Sequence, residues 1–166
     1  MIRLFLKVSK LYFKNKLFNN MSEFLISTTD FKEGEEIPKK HGYKFENIIP
    51  NIFFENLPQN TKSIALIMDD PDAMAAVGKV WVHWLEYTEN LEQDYPHSDR
   101  LQGETDFGEI GYGGPAPPNG CHTYVFKGYT LDVKLDLEEG YSKQELEDAM
   151  EGHILAEAKL TGTFTL

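Results

Sequence analysis

The sequence predicts a mainly β fold, an antiparallel sandwich with one short helix late in the chain. Three features predict it: a continuous apolar run at Ser63–Met68, period-2 alternation at Lys79–Tyr87 and His122–Leu131, and a single helix-start signature at Ser142–Glu145. The chain of 166 residues suits one domain, and folding can bury roughly 70% of the surface its unfolded form exposes. Its 41% hydrophobic and 26% charged residues exclude disorder, collagen and coiled coil. A net charge of −11 argues against nonspecific nucleic-acid binding. The apolar runs all fall far short of the ~20 residues that span a bilayer. A single cysteine, Cys121, excludes an internal disulfide and any multi-cysteine zinc site.

The first stretch differs from the rest. Met1 to Asn20 carries Arg3, Lys7, Lys10, Lys14 and Lys16 and no acid, leaving 11 basic against 27 acidic side chains, a charge of −16, from Met21 onward. Lys7 interrupts the apolar segment Ile2–Leu6, and no small-residue cleavage site follows, so a secretory signal does not fit. Leu4, Val8, Leu11 and Tyr12 share one helical face, which suits a basic amphipathic helix on an anionic surface. The plainer reading is an early start codon or a disordered tail. The expected organisation is therefore a basic extension over 1–21 and one domain over 22–166, with a cytoplasmic location.

Within the domain, Glu33-Gly34-Glu35 and Ile37-Pro38 read as turns. Asn47 to Pro58 reads as extended and is interrupted by Pro50. The run Ser63–Met68 has the pattern of a strand buried on both faces. It stops at Asp69-Asp70-Pro71-Asp72, where Pro71 has no N–H to donate. In Lys79–Tyr87, strict alternation would place Val80, Val82 and Trp84 on one face, and Trp81, His83, Leu85 and Tyr87 on the other. In His122–Leu131 it places His122, Tyr124 and Phe126 together, opposite Thr123, Val125 and Tyr129. Ser142 and Glu145 form a capping-box pair that opens a helix with Leu146, Ala149 and Met150 on its apolar side. Gly152 closes that helix, and Ile154, Ala156, Ala158 and Leu160 alternate as a last strand, although the alanines also suit a helix.

Thr88 to Gly120 has 33 residues with six of the 13 glycines and four of the eight prolines. Loops of this length inside a compact domain are uncommon and often functional. Gly111–Gly120 mixes glycine freedom with proline rigidity, which suits either a wall of exposed backbone N–H groups beside a ligand or a plain polar connection. Taken singly, the polar residues nearby have ordinary explanations. Asp70 and Asp72 around Pro71 suit a turn, and a histidine among aromatics suits a hydrogen-bonded core. Together they mark strand ends beside a Gly/Pro loop, where small pockets form.

Asp70-Pro71-Asp72-Ala73, Trp81-Val82-His83-Trp84, Gly111-Tyr112-Gly113-Gly114-Pro115 with Pro117-Pro118, and His122-Thr123-Tyr124 resemble the phosphatidylethanolamine-binding protein family. The bacterial and archaeal branch, labelled Raf kinase inhibitor-like, is the nearer resemblance. The tail Gly152–Leu155 and Leu160–Phe164 also resembles it, so the agreement runs over roughly Phe24 to Phe164. The resemblance implies a β-sandwich with a small anion pocket for phosphate or a phospholipid headgroup. It implies ligand-binding positions at Asp70, His83, Gly114, Pro115, His122 and Tyr124. It further implies no cofactor, no catalytic residue, a kinase or protease as protein partner in some relatives, and a homodimer. Two departures stand out. Met74 replaces the proline that usually follows Asp-Pro-Asp-Ala, which implies a looser turn. Gly42-Tyr43-Lys44-Phe45-Glu46 replaces the Cys-Asp-Gly run before Asn47, which alters the pocket rim.

Physically, imidazolium and backbone N–H groups hold an anion by charge-assisted hydrogen bonds. A carboxylate such as Asp70 is expected to keep neighbouring His83 and His122 charged, or to take a ligand ammonium. The alternative is a metal-dependent or other hydrolase using Asp70, His83 and His122, since imidazole and carboxylate together suit zinc or iron. Against it, no two of the five histidines are spaced i, i+4 and no glutamate is placed as a base. A Cys121 nucleophile paired with His122 fails because strand neighbours face opposite ways. No Gly-Lys-Ser/Thr follows the glycines, which excludes a nucleotide phosphate loop.

Overall fold

A computed structural model describes residues 23–166. The predicted basic extension over 1–21 lies outside the described residues. Seven strands form two antiparallel sheets: β1 Leu25–Thr28, β2 Ile52–Glu55, β3 Ser63–Asp70, β4 Trp81–Thr88, β5 Leu101–Gln102, β6 Cys121–Leu131 and β7 Ile154–Thr165. β1 and β2 pair with each other, and the larger sheet has the order β5-β4-β3-β6-β7. The fold is β-rich, as predicted, with few helices.

The larger sheet is covered on both sides, which explains the unbroken apolar run of β3. All eight residues of β3 are buried. On one face, Ile64, Leu66 and Met68 join Trp84, Tyr124, Phe126, Leu160 and Phe164 beneath Phe24, Ile26, Ile52 and Phe54 of the small sheet and its lead-in. On the other, Ala65 and Ile67 pack with Val82, Leu85, Tyr87 and Leu131 beneath Tyr141, Leu146 and Met150. Leu146 and Met150 belong to the helix Lys143–Met150, where Ser142 and Glu145 form the reciprocal capping box that their spacing predicts. Asp69, 1% exposed, faces this second side and accepts hydrogen bonds from Lys127 and Lys143, tying the helix start to the sheet.

Strict alternation holds in β6 and fails in β4. His122, Tyr124 and Phe126 are all buried on one side of β6, as expected. In β4, Met68 pairs with Trp84 and Asp69 with Val82, so His83 has no partner on β3. This is a β-bulge, one extra residue in one strand, and it re-aims side chains. Val82 accordingly lies with Leu85 and Tyr87, while Trp84 turns to the opposite core with Tyr124. The sequence reading had put Val82 and Trp84 on one face; the bulge separates them.

The long connection Thr88–Gly120 is pinned at its start by a buried polar network. Glu86 receives Arg100 Nη1 at 2.7 Å and His97 Nδ1 at 2.7 Å, and Gln102 Oε1 accepts from Trp84 Nε1 at 2.7 Å. Among the described residues, no helix is long and apolar enough to cross a membrane.

Candidate functional site

Asp70 ends β3, and the chain turns at Pro71. Asp70 caps the 3₁₀ turn Pro71–Ala73, its Oδ1 accepting from Ala73 N–H at 3.1 Å. Its Oδ2 accepts from His122 Nδ1 at 2.8 Å. Both carboxylate oxygens are thus occupied as acceptors, and His122 is oriented with Nε2 as its remaining nitrogen. The turn does not loosen at Met74: residues Met74–Val77 continue it as one α-helical turn, closed by Gly78 at φ +77°.

His83 sits at the bulge of β4, 2% exposed. Its Nδ1 lies 2.8 Å from the Gly113 carbonyl and 3.0 Å from that of Gly114. A carbonyl only accepts, so Nδ1 carries the proton and Nε2 is the atom with a free lone pair in the neutral ring. Burial pushes the His83 pKa below its ordinary value. The carbonyls of Gly113 and Gly114 and the Asp70 and Asp69 carboxylates act in the opposite direction without overcoming it. The expectation that Asp70 would keep this histidine charged is therefore corrected: loss of hydration outweighs the carboxylate.

Tyr124, fully buried on β6, sets its ring edge-on to His83 at 5.0 Å. Its hydroxyl has no hydrogen-bond partner among the described residues. Burial, then the Asp70 carboxylate, pushes the phenol far up, so it stays protonated and able to donate. Gly114 and Pro115 belong to the Gly/Pro loop, held by the segment that follows Pro38. Gly114 N–H donates to Asn47 Oδ1 at 2.8 Å, Asn47 Nδ2 donates to the Tyr112 carbonyl at 3.1 Å, and Tyr43 N–H donates to the Pro115 carbonyl at 3.0 Å. Gly113 N–H donates to the His83 carbonyl at 2.8 Å.

These bonds correct the picture of a wall of free N–H groups. The amides of Gly113 and Gly114 serve protein acceptors, and the loop turns carbonyls toward His83 instead. The loop is shaped, as glycine and proline suggest, and its Gly113 and Gly114 carbonyls orient a histidine.

A cavity of about 150 Å³ lies against this arrangement, lined by Asp70, Ala73, Ala76, Val77, Trp81, His83, Phe107, Ala116 and Pro118. That volume corresponds to about five water molecules. Of the six expected site residues, Asp70 and His83 line it. His122 stands behind Asp70, Tyr124 and Gly114 touch His83, and Pro115 anchors the loop. Sequence reading missed Phe107 as a wall residue, and it gave Asn47 no role. The signal available for Phe107 was an aromatic side chain between Asp106 and Gly108 in an otherwise polar stretch. The histidine pair does not gather further acids: no set of three or more His, Cys, Asp or Glu side chains is placed to hold a metal ion among the described residues.

Cys121 is exposed at the first position of β6, opposite Thr165. Cys121→Ser is expected to leave pocket binding within about twofold of the parent, as exposed surface changes do. Calorimetric titration with dimethyl phosphate checks this, and a large loss would bring the thiol back into the site.

Comparison with known proteins bears on the family and the fold. A family model described as phosphatidylethanolamine-binding protein matches residues 27–165. A UPF0098 protein of Methanothermobacter thermautotrophicus is 43% identical over 149 residues, covering 84% of this chain and 97% of that protein. The crystal structure of a phosphatidylethanolamine-binding protein homolog from Chlamydia trachomatis superposes with a TM-score of 0.79 at 37% identity, covering 87% of this chain and 98% of the other. Escherichia coli YbcL, described as a member of the mammalian family, gives a TM-score of 0.77 at 25% identity over 87% of this chain and 99% of its own.

Proposed function

The chain belongs to the phosphatidylethanolamine-binding protein family, and from that premise we propose that its cavity binds small phosphorylated anions of the headgroup type without reacting with them. Membership makes it a ligand-binding protein in general; the choice of ligand rests on the cavity. One observation carries the reading: a buried histidine, fixed through Nδ1 so that only Nε2 is free, lines a small cavity whose other walls are apolar apart from Asp70. An anion at Nε2 is met by a charge-assisted donor once the ring is protonated. The Tyr124 hydroxyl is a further donor for ligand oxygens in the assigned set Asp70, His83, Gly114, Pro115, His122 and Tyr124, and His122, bonded through Nδ1, steadies Asp70.

The residues lining the wall support a binding role. The lining has no serine, threonine, cysteine or lysine to act as a nucleophile. Asp70, the one carboxylate there, accepts from His122 and from Ala73 N–H. A kinase or protease partner would, on this reading, respond to whether the pocket is filled.

Blocking the cavity tests the proposal. Ala76 lines it and is exposed, so a large side chain there fills the mouth without disturbing the core. Ala76→Phe is expected to melt as the parent does and to bind dimethyl phosphate at least about tenfold more weakly, a difference of about 1.4 kcal/mol. Equal affinity in the two proteins, measured by titration calorimetry, would place the anion elsewhere.

A further inference from the structure

Tyr43 lies in the segment that departs from the family pattern, and it stacks on a wall of the cavity. Its ring is nearly parallel to that of Phe107, 6° apart in plane, with centroids 4.1 Å apart. Phe107 lines the cavity and Tyr43 does not. Phe107 also meets Trp81 edge-on at 5.4 Å and His83 edge-on at 5.4 Å. We propose, resting on the pocket reading above, that Tyr43 is a specificity-determining residue: it holds Phe107 in the closed position that sizes the cavity for compact phosphate esters.

The backbone around Phe107 is fixed, so its ring is the part that can yield. Asp106 clips the loop to β4, its N–H donating to the Val82 carbonyl at 3.0 Å and its Oδ2 accepting from Val82 N–H at 2.7 Å. Lys79 Nζ adds a bond to Asp106 Oδ1 at 2.7 Å. Thr105 accepts through its hydroxyl from Phe107 N–H at 3.3 Å and through its carbonyl from Gly108 N–H at 3.0 Å, and Gly108 takes φ +75° to close the turn. The Phe107 ring is seated where Gly113 has no side chain: a Cβ there would come within 2.5 Å and 2.7 Å of ring atoms. One face of the ring thus rests against its surroundings through Tyr43, and removing Tyr43 leaves a vacancy into which Phe107 can swing.

Tyr43 is itself held in place. Its N–H binds the Pro115 carbonyl, and the Glu109 carboxylate lies beside its phenol. The stack therefore links the segment after Pro38, the Phe107 loop and the Gly/Pro loop at one corner of the cavity. Offset-stacked aromatic pairs add attraction beyond their buried area, which favours the closed ring.

Two monoanionic diesters of different size, dimethyl phosphate and methyl phenyl phosphate, test the inference by titration calorimetry. The parent is expected to prefer the smaller ester. Tyr43→Ala is expected to shift the affinity ratio toward the phenyl ester by about tenfold or more, while Tyr43→Phe, which keeps the stack, stays within about twofold. Acrylamide quenching gives a second readout independent of either ester: Trp84 is fully buried, so the quenchable tryptophan is Trp81, and its quenching should rise in Tyr43→Ala and not in Tyr43→Phe. Should the alanine protein lose its melting transition, Tyr43→Leu repeats both measurements with apolar bulk retained. An unchanged ester ratio and unchanged quenching, in a variant that binds dimethyl phosphate as the parent does, would overturn the role of Tyr43. Failure of the parent to bind either ester would instead remove the pocket reading and this inference with it.

Discussion

Gly114→Ala is expected to be among the most damaging single-methyl changes this domain can take. A Cβ on Gly114 would stand 1.9 Å from the His41 carbonyl oxygen, 2.8 Å from Asn47 Oδ1 and 2.8 Å from the Tyr43 amide nitrogen. Two of these three are backbone atoms, and the Asn47 side chain is engaged with Gly114 N–H and the Tyr112 carbonyl, so no flexible tip can move aside. Accommodating the methyl means separating the Gly/Pro loop from the segment after Pro38, a cost of about 3 kcal/mol at the upper end of overpacking effects. For a chain of this size that lowers Tm by roughly 6–12 °C. Gly78→Ala is the informative contrast. Gly78 has φ +77° and nothing within 4 Å of its Cβ position, so only backbone strain of about 1–2 kcal/mol applies. Because the Gly114 carbonyl also receives His83 Nδ1–H, dimethyl phosphate binding should fall in Gly114→Ala and persist in Gly78→Ala. A Gly114→Ala protein that melts with the parent and binds normally would contradict this account of the loop.

That loop shows how far residue patterns reach. β3 was legible because a strand covered on both faces needs apolar side chains on both, and the run Ser63–Met68 supplies them. β6 was legible because one face is fully buried and the other only half-buried. The helix start was legible because Ser142 and Glu145 satisfy each other's backbone N–H groups locally. β4 was misread for a different reason. A bulge depends on the register against β3, a long-range property, and nothing local to Val82–Trp84 announces it. The amides of Gly113 and Gly114 raised the same difficulty: glycine signals backbone freedom, while the partners that consume those amides, His83 and Asn47, lie 30 and 67 positions away.

The candidate site divides in the same way. The resemblance puts Asp70, His83, Gly114 and His122 at one pocket, and the structure sets Asp70 against His122 and His83 against Gly114. Phe107 and Tyr43 are joined across 64 positions by a stack that neither local sequence suggests. Burial was the other hidden variable. Pairing a histidine with a carboxylate suggests a charged ring, but the sign of the shift depends on how much water the fold removes, and at His83 that decides the outcome.

That sign sets the second large effect, the pH dependence of binding. Dimethyl phosphate is a monoanion throughout the working range, so only the protein titrates. With its pKa held below the usual ~6.5 by burial, His83 in the free protein is neutral at pH ~7. An anion against Nε2 favours the imidazolium, so each binding event takes up a proton, and affinity falls by up to about tenfold per pH unit between the pKa of the free ring and the higher pKa of the complexed ring. Stability runs the other way. A histidine depressed by folding contributes most above the unfolded pKa of ~6.5, and that contribution is lost as pH falls toward the folded value, because the unfolded chain takes the proton first. Acid therefore tightens the ligand while loosening the fold, and the rise in Tm caused by dimethyl phosphate should grow as pH drops from about 8 to about 6. His83→Gln, whose amide can still donate to the Gly113 and Gly114 carbonyls, should bind weakly and with no pH slope. Calorimetry in two buffers of different ionisation enthalpy counts the protons directly. Flat affinity in the parent, or a slope that survives in His83→Gln, would show that the ligand is held by some other group.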